Sequence, residues 1–259
     1  MSTNQLVSAS LILALAGCAD DPDQDAQAEQ PANHATAEPH WSYEGESGPT
    51  HWAHLDPAWA LCATGKQQSP IDITAGVTPH IDDLSFEYQP SPLDLVNNGH
   101  TVQVNYEAGS HLIVRGVSYD LVQFHFHAHS EHRLAGHFAP LEVHLVHRNA
   151  SGGLAVIGVL IEEGVSNAAL ESVFENLPKQ SGETLRLADS SFDATELLPE
   201  AFESFHYDGS LTTPPCSEGV NWHVLAAPLQ ASAAQIAKFT ALYANDARPL
   251  QALEDRTVD

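Results

Sequence analysis

A cluster of histidines beginning at residue 125 is the part of the sequence best suited to chemistry. The segment VQFHFHAHSEHR (122–133) places His125 and His127 two positions apart. On a β-strand such residues point to the same face about 6.6–6.8 Å apart, so both imidazoles can bind one ion at a Zn–N distance of roughly 2.0–2.1 Å. His129 would lie about 13 Å from His125 on an extended strand. The third ligand is therefore expected from a neighbouring strand.

The segment LEVHLVHR (141–148) offers two candidates for that third ligand, His144 and His147, which face opposite sides of a strand. Glu142 shares the face of His144, and Gln123 shares the face of the H-x-H pair. A metal-binding histidine usually donates its second ring N–H to an outer acceptor, and Gln123 and Glu142 are placed for that role. Nothing comparable marks His147. The spacing therefore favours three metal ligands: His125, His127 and His144.

The H-x-H pattern alone is a weak signal for a catalytic metal. The rings could instead pack in the core or form a loose metal-buffering surface. A cupin is a sharper alternative, because its first motif has H-x-H followed by Glu, as His125, His127 and Glu131 do. The glycine and second histidine that a cupin carries downstream do not follow at the expected spacing.

The elements that must position these residues are mostly strands. Short apolar or alternating runs recur between turn residues, at 84–88, 93–98, 101–107, 112–116, 121–127, 141–148 and 154–163. Helical patterns are sparse, and the best are at 167–177 and 232–243. We predict a mainly β (α+β) fold, a single domain over 41–259 built on one large, mostly antiparallel sheet with a few short peripheral helices.

The charge balance excludes two classes of partner. The 259 residues carry 34 acidic against 9 basic side chains, a formal net charge of -25. This balance repels nucleic acid and anionic lipid surfaces, so neither is expected as a partner. It also suggests adaptation to salty or alkaline surroundings, because salt screens the self-repulsion of a highly charged chain.

The N-terminal residues have the pattern of an export signal. An apolar run at 6–17 precedes Cys18 in LAGC, which resembles a bacterial lipobox, although MSTNQ lacks the usual positive charge. We predict a signal peptide over 1–18 with a lipid anchor at Cys18, and a disordered acidic tether over 19–40. A plain disordered N-terminus is the alternative.

If Cys18 carries lipid, Cys62 and Cys216 form an even pair that could bridge in an oxidising compartment or remain two buried thiols.

Several stretches together resemble the α-class carbonic anhydrases. They occur in order along the chain: HWSYEGESGPTHWAHL (40–55), GKQQSPIDI (65–73), LVNNGHTVQV (95–104), LVQFHFHAHSEH (121–132), LEVHLVHRN (141–149), GSLTTPPCSEGVNWHVL (209–225) and ARPLQAL (247–253). The resemblance covers residues 40–256 and implies a large, twisted, mainly antiparallel sheet. It also implies a zinc enzyme of the lyase class that interconverts CO2 and bicarbonate by attack of zinc-bound hydroxide on CO2.

The resemblance assigns roles residue by residue. His125, His127 and His144 match the zinc ligands, with water in the fourth position. Thr212 matches the hydroxyl that accepts the hydroxide proton and donates to Glu131. The apolar wall for CO2 matches Val146, Val156, Leu211 and Trp222, and Thr213 matches the threonine on the bicarbonate side. His100 matches the proton shuttle, and Tyr43, Asn98 and Gln103 match residues along the water path. Cys62 and Cys216 match the disulfide of exported members of the family.

Two departures from the family pattern stand out. His129 occupies a position where bacterial relatives commonly have Pro, and it is expected to be a solvent-facing imidazole or part of a weak second metal site with His132 or His137. Asp246 lies near a position where the family often has Asn. Neither departure removes a proposed ligand.

Other functions remain to be weighed against the enzyme. A catalytically dead relative acting as a binding module would have lost a zinc ligand, and a metal-buffering lipoprotein would not need SLTTPP or an apolar wall. Weak esterase activity would be secondary.

The expected location is periplasmic or at the cell surface, with membrane contact only through Cys18. A monomer and a homodimer both stay open.

Overall fold

One mixed sheet of eleven strands organises the part of the chain that a computed structural model describes, residues 40–81 and 84–259. The predicted signal peptide with Cys18 and nearly all of the predicted tether lie outside the described residues. Two further strands, β1 and β7, form a small parallel pair. The strands are β1 (Asp72–Ile73), β2 (Leu84–Glu87), β3 (Ser91–Asn97), β4 (Val102–Asn105), β5 (His111–Val114), β6 (Val117–His127), β7 (Arg133–Leu134), β8 (Leu141–Arg148), β9 (Leu154–Glu163), β10 (Thr184–Phe192), β11 (Ser204–Ser210), β12 (Glu218–Leu225) and β13 (Leu229–Ala231).

The strand order explains how distant segments meet. The main path runs β10-β3-β4-β6-β8-β9-β12-β11, with β5 also on β6, β2 on β5 and β13 on β9. Only the pairings of β9 with β12 and β13 are parallel within this sheet. The prediction of a mainly β, mostly antiparallel fold is confirmed. So are the strands predicted for 84–163, which the structure contains within one or a few residues of the expected ends.

Helices are few and short among the described residues. The two predicted from sequence are present, and each begins at a capping side chain. Asn167 accepts hydrogen bonds from two backbone N–H groups of the first turn of its helix, and Ser232 with Gln235 forms a capping box. The α-helices are α1 (Trp52–Leu55), α2 (Leu61–Thr64), α3 (Ala168–Phe174) and α4 (Ala233–Thr240), and the 3-10 turns are Gly45–Ser47, Pro57–Trp59 and Ala194–Leu197. None of the described helices combines the length and apolar character needed to cross a membrane.

Strand β6 separates the core from the site. Phe124 and Phe126 are fully buried in the larger apolar cluster, which also packs against α3 and α4. Because side chains alternate along a strand, His125 and His127 project to the opposite face. The sheet therefore uses one face of β6 for stability and the other for the histidines.

Candidate metal centre and active site

Strand register brings the three predicted metal ligands together. His125 on β6 lies directly opposite His144 on β8, and Gln103 on β4 lies opposite His125 on its other side. His127 follows two residues along β6. One nitrogen from each of the three rings lies within 4.8 Å of the others.

Each of these rings is oriented by an acceptor on its other nitrogen. His125 Nδ1 donates to Gln123 Oε1 at 2.9 Å, and His144 Nε2 donates to Glu142 Oε1 at 2.9 Å. His127 Nδ1 donates to the backbone carbonyl of Asp246 at 2.8 Å. These bonds fix the tautomers and leave Nε2 of His125, Nε2 of His127 and Nδ1 of His144 as lone-pair donors facing one another.

The donor set fits a zinc ion. Burial lowers the pKa of His125 well below its usual value and that of His144 to about 4, so both rings are neutral near pH 7, as metal ligands must be. His127 Nε2 is buried and has no hydrogen-bond partner. An orphaned buried nitrogen is costly, and coordination to a cation would satisfy it. Three imidazoles are a common zinc donor set.

A second group of acidic and histidine side chains is better explained as a hydrogen-bond network. His132, Glu142 and His144 could hold an ion by distance alone. However, His132 Nδ1 and His144 Nε2 both donate to Glu142 Oε1, at 2.7 and 2.9 Å. Burial raises the pKa of Glu142, but these two histidines outweigh that effect and hold it well below its usual range. Glu142 therefore serves as an anionic acceptor that is already occupied.

Glu131 lies beside the histidines and is held from a distant part of the chain. Its Oε1 accepts the backbone N–H of Arg248 at 2.7 Å, and the Thr212 side chain lies close enough to lower the pKa of the carboxyl group. Glu131 Oε2 is 3.6 Å from His127 Nε2. Burial raises the pKa of Glu131 to about 8, and a cation bound by the histidines would favour its ionised form. An ionised Glu131 can only accept, so Thr212 would then be the donor.

The four predicted apolar wall residues come together in one cluster. Val156 and Trp222 are buried within it, and Val146 and Leu211 pack against it half-buried. The ring of Trp222 lies 4.9 Å from that of His144. An apolar surface thus adjoins one of the metal ligands, as an uncharged substrate requires.

A cavity of about 130 Å³ joins the metal-binding histidines to the predicted proton path. Its lining includes the ligands His125 and His127 and the predicted proton shuttle His100. The predicted water-path residues Tyr43, Asn98 and Gln103 and the bicarbonate-side Thr213 also line it. His100 is half-buried and stacks flat on Trp41, with ring centroids 3.6 Å apart and planes 5° apart. Burial lowers the pKa of His100 from its usual value.

Cys62 and Cys216 form a disulfide, with Cα atoms 5.1 Å apart and 154 positions between them in sequence. Cys62 lies in α2, and Cys216 closes the turn that begins at Thr213, directly after Thr212, by donating its N–H to the Thr213 carbonyl at 2.8 Å. The Cys216 carbonyl accepts from Gln68 at 3.1 Å, and the Cys62 carbonyl accepts from Arg248 at 3.0 Å. The bridge thus ties the Thr212 loop to the segment that holds Glu131.

Sequence reasoning missed the segment from Asp246 to Arg248. The sequence marks Asp246 only as a departure that removes no ligand, yet its backbone carbonyl contacts the ligand His127 directly. It orients His127 through its carbonyl, its Oδ1 accepts the Ala128 N–H at 2.6 Å, and its own N–H donates to the Ala128 carbonyl at 3.0 Å. Backbone acceptors carry no sequence signature, and only the ARPLQAL motif marked this region.

The groups of three or more metal-capable side chains found among the described residues do not include His129, so the suggested weak second metal site stays a prediction. His129 is exposed, with its ring 4.6 Å from that of Phe138. His132 is fully buried, with both ring nitrogens bonded to Glu142 and Tyr207, and His137 pairs with Glu162 at 3.0 Å. The alternative expectation of a solvent-facing imidazole agrees with the exposure of His129.

The excluded histidine, His147, faces the other side of the sheet from His144. Its Nε2 is bonded to the Tyr88 hydroxyl at 2.7 Å and its Nδ1 to the Ala155 carbonyl at 3.3 Å. Both ring nitrogens are therefore occupied, which agrees with its exclusion as a ligand.

Comparisons with known proteins agree with this geometry. The family model for eukaryotic-type carbonic anhydrase matches residues 47–259. The chain is 46% identical over 223 residues to a carbonic anhydrase of Nostoc sp., covering 84% of each chain. It is 41% identical over 228 residues to one of Pectobacterium carotovorum, covering 86% of this chain and 92% of the other.

A solved structure shares the same fold. The α-carbonic anhydrase of Thermovibrio ammonificans, in complex with the inhibitor sulfanilamide, superposes with a TM-score of 0.82 at 40% identity, covering 86% of this chain and 99% of that chain. With the family model and the two relatives, this match establishes that the chain belongs to the α-class, or eukaryotic-type, carbonic anhydrase family of enzymes.

Proposed function

We propose that the chain catalyses the reversible hydration of CO2 to bicarbonate and a proton, with one zinc ion held by His125, His127 and His144. The observation that carries the proposal is the convergence of three imidazole nitrogens, each ring being oriented by an acceptor on its other nitrogen. When bound, zinc supplies a Lewis acid that makes water acidic enough to ionise at neutral pH, an effect for which carbonic anhydrases are the reference case.

The surrounding residues orient the nucleophile. The Arg248 N–H fixes Glu131, and Glu131 in its ionised form accepts the Thr212 hydroxyl proton. The Thr212 oxygen is then left as an acceptor for the one proton that the nucleophile retains. With zinc bound, Glu131 and Thr212 would orient the attacking oxygen before substrate arrives, so less orientational entropy would have to be lost in the reaction.

The substrate side is apolar on one flank and polar on the other. Val146, Val156, Leu211 and Trp222 form an apolar cluster that suits uncharged CO2. Thr213 lies on the lining of the polar cavity and is placed to interact with bicarbonate. An apolar flank does not bind the anionic product strongly, so product release is favoured.

The proton leaves along the polar cavity. Tyr43, Asn98 and Gln103 line the space between the ligands and His100. An imidazole titrates near physiological pH, so His100 can accept a proton from ordered water on one side and release it to buffer on the other.

The decisive test is stopped-flow CO2 hydration by the full chain, with zinc content, for wild type, His144→Ala and His137→Ala. We expect one zinc and fast hydration in wild type and His137→Ala, and loss of both in His144→Ala. Circular dichroism checks that each variant is folded. One zinc without hydration would contradict the enzyme and favour a binding module, several weakly held ions would favour a metal buffer, and activity that survives His144→Ala would exclude that residue as a ligand.

We also propose that the protein is exported and anchored in a bacterial membrane by lipid on Cys18. The Cys62–Cys216 disulfide supports export, because such bonds persist in oxidising compartments. Labelling of cells with radioactive palmitate should mark the wild-type chain and leave Cys18→Ser unlabelled. Equal labelling of both would contradict the anchor.

A further inference from the structure

The turn between β3 and β4 holds a residue whose side chain is arranged for a reaction of its own. Of the ten asparagines in the sequence, only Asn98 precedes a glycine. Asn98 and Gly99 are both exposed, and Gly99 has a positive φ of +88°. The absence of a Cβ at Gly99 leaves its backbone nitrogen open to approach from the preceding side chain.

The carbonyl of the Asn98 amide is polarised by two donors. Its Oδ1 accepts the backbone N–H of His100 at 2.9 Å and that of Thr101 at 2.9 Å. Two fixed N–H groups on one carbonyl oxygen are the arrangement that stabilises negative charge during acyl transfer. Attack on Cγ of Asn98 is therefore assisted by the turn itself.

The attacking nitrogen has a proton acceptor beside it. The Gly99 N–H donates to Asn97 Oδ1 at 3.0 Å, and Asn97 is held in turn through its Nδ2, which donates to the Pro178 carbonyl at 3.0 Å. A bond from N–H to a fixed oxygen increases the electron density on nitrogen. The electrophile and the nucleophile are both supported by hydrogen bonds that the fold supplies.

We propose that Asn98 is a site of spontaneous deamidation in the folded protein. The Gly99 nitrogen forms a bond to Cγ of Asn98, the bond from Cγ to Nδ2 breaks, and ammonia leaves with the proton from Gly99. The resulting succinimide adds water across either of its C–N bonds and gives aspartate or isoaspartate. Water is the only co-reactant, and no oxidant or reductant takes part.

The modification would alter the wall of the site cavity, a consequence that rests on the proposed function. Asn98 and His100 line the same cavity. Deamidation replaces a neutral amide by a carboxylate two residues from His100, and the isoaspartate product also lengthens the backbone at that point. A nearby negative charge favours the protonated form of an imidazole. Ageing of the protein would therefore change how His100 passes on its proton.

The chain offers two internal controls. Asn149 Oδ1 accepts the backbone N–H groups of Ser151 and Gly153, and Asn167 Oδ1 accepts those of Ala169 and Leu170. Each of these asparagines is followed by alanine instead of glycine. They share the polarised carbonyl of Asn98 and lack the open nitrogen beside it.

The test is to age the folded, zinc-loaded full chain at mildly alkaline pH and to follow peptide masses. We expect the peptide containing Asn98 to change in mass by the difference between NH2 and OH faster than the peptides containing Asn149 or Asn167, because only Asn98 is followed by a residue without a Cβ. A more acidic species should accumulate on ion exchange and elute near Asn98→Asp, and Asn98→Gln should not form it. Equal rates at the three asparagines, or an unchanged Asn98 peptide while the others react, would overturn the proposal. This readout does not depend on CO2 hydration, so its failure is distinguishable from failure of the proposed function.

Discussion

Arg248 donates its backbone N–H to Glu131 Oε1 at 2.7 Å, so a residue 117 positions away fixes the carboxyl group that orients Thr212. The same residue uses its guanidinium group to bind the carbonyls of Ser69 and Cys62, at 2.8 and 3.0 Å. Burial lowers the pKa of Arg248 to about 10, which still leaves it charged at neutral pH. Cys62 of the disulfide, Ser69 and Glu131 are therefore connected through one residue, Arg248, by its backbone N–H and its side chain together.

Loss of the disulfide should reduce both stability and activity. Cys216→Ser removes a bridge that closes a loop of 154 positions, which in exported proteins typically costs about 2–5 kcal/mol of unfolding free energy. Activity should also fall, because the Thr212 loop and the Cys62 carbonyl lose a shared anchor. Urea unfolding and CO2 hydration of the zinc-loaded protein measure the two effects. Cys18→Ser is the matched control, and an unfolding free energy equal to wild type in Cys216→Ser would contradict the prediction.

Glu142→Gln should weaken zinc binding while all three ligands remain. The amide has no charge, whereas the carboxylate accepts from the His132 and His144 rings at Oε1 and from the His132 backbone N–H at Oε2, so one of these donors would face the NH2 group of glutamine. Loss of such an outer partner typically costs about 10–100-fold in metal affinity. Competition with a chromogenic chelator near neutral pH measures the affinity. Glu162→Gln, which alters only the exposed pair with His137, should behave as wild type. Equal zinc affinity in both variants would show that Glu142 does not support the metal site.

His100→Ala should separate proton transfer from CO2 chemistry. If His100 exports the proton, kcat should fall by about tenfold or more in weak buffer while kcat/KM for CO2 changes little. Added imidazole buffer should restore kcat, because a free base then takes the place of the missing ring. Stopped-flow hydration at several buffer concentrations provides the measurement, with His111→Ala as a surface control. A proportional fall in both kinetic constants would instead indicate damage to the metal site.

His147 should make the protein less stable in acid. Burial lowers the pKa of His147 to about 3 from its usual 6.5, so between these values the unfolded chain binds a proton that the folded chain does not. Its contribution to stability is therefore complete above about pH 6.5 and falls by about 1.4 kcal/mol per pH unit below it. Urea unfolding of the zinc-free protein measures the free energy of unfolding of wild type and His147→Gln. The difference between the two should narrow by about 2 kcal/mol from pH 7 to pH 5. A difference in unfolding free energy that stays constant from pH 7 to pH 5 would exclude this role.

Salt should raise the thermal midpoint. Only six of the 34 acidic residues precede residue 40, so most of the charge belongs to the folded part of the chain. Self-repulsion of that charge weakens as the Debye length falls, and the midpoint should rise between low salt and about 1 M NaCl. Calorimetry of the zinc-loaded protein with NaCl and with KCl should give the same trend. A flat or falling midpoint would exclude adaptation of the surface to salt.

The sequence predicted the elements that follow a simple period. Alternation along β6 and β8 was enough to place His125, His127 and His144 on one face, and the continuous apolar run at 154–163 was enough to predict β9. Strand β10 was not predicted, because most of its side chains are exposed and carry no apolar period. It forms through pairing with β3, which only the folded sheet supplies.

The parts of the site that depend on tertiary contacts were harder to predict. Gln123 and Glu142 lie two residues from the ligands they orient, so local spacing was sufficient to find them. Asp246 and Arg248 act through backbone groups that every residue possesses, and their distance in sequence from His127 and Glu131 hides the contact. Gly158 is a further example, because a Cβ there would come within 2.9 Å of Glu142 Oε1.

The segment from Asp246 to Arg248 also determines when the site can be completed during synthesis. All three metal-binding histidines emerge from the ribosome about a hundred residues before the groups that orient His127 and Glu131. A nascent or truncated chain that stops short of Asp246 would carry every zinc ligand and still lack a finished site. Assembly of the active centre is thus delayed until Asp246 to Arg248 have been synthesised, which suits a protein proposed to cross a membrane before it folds.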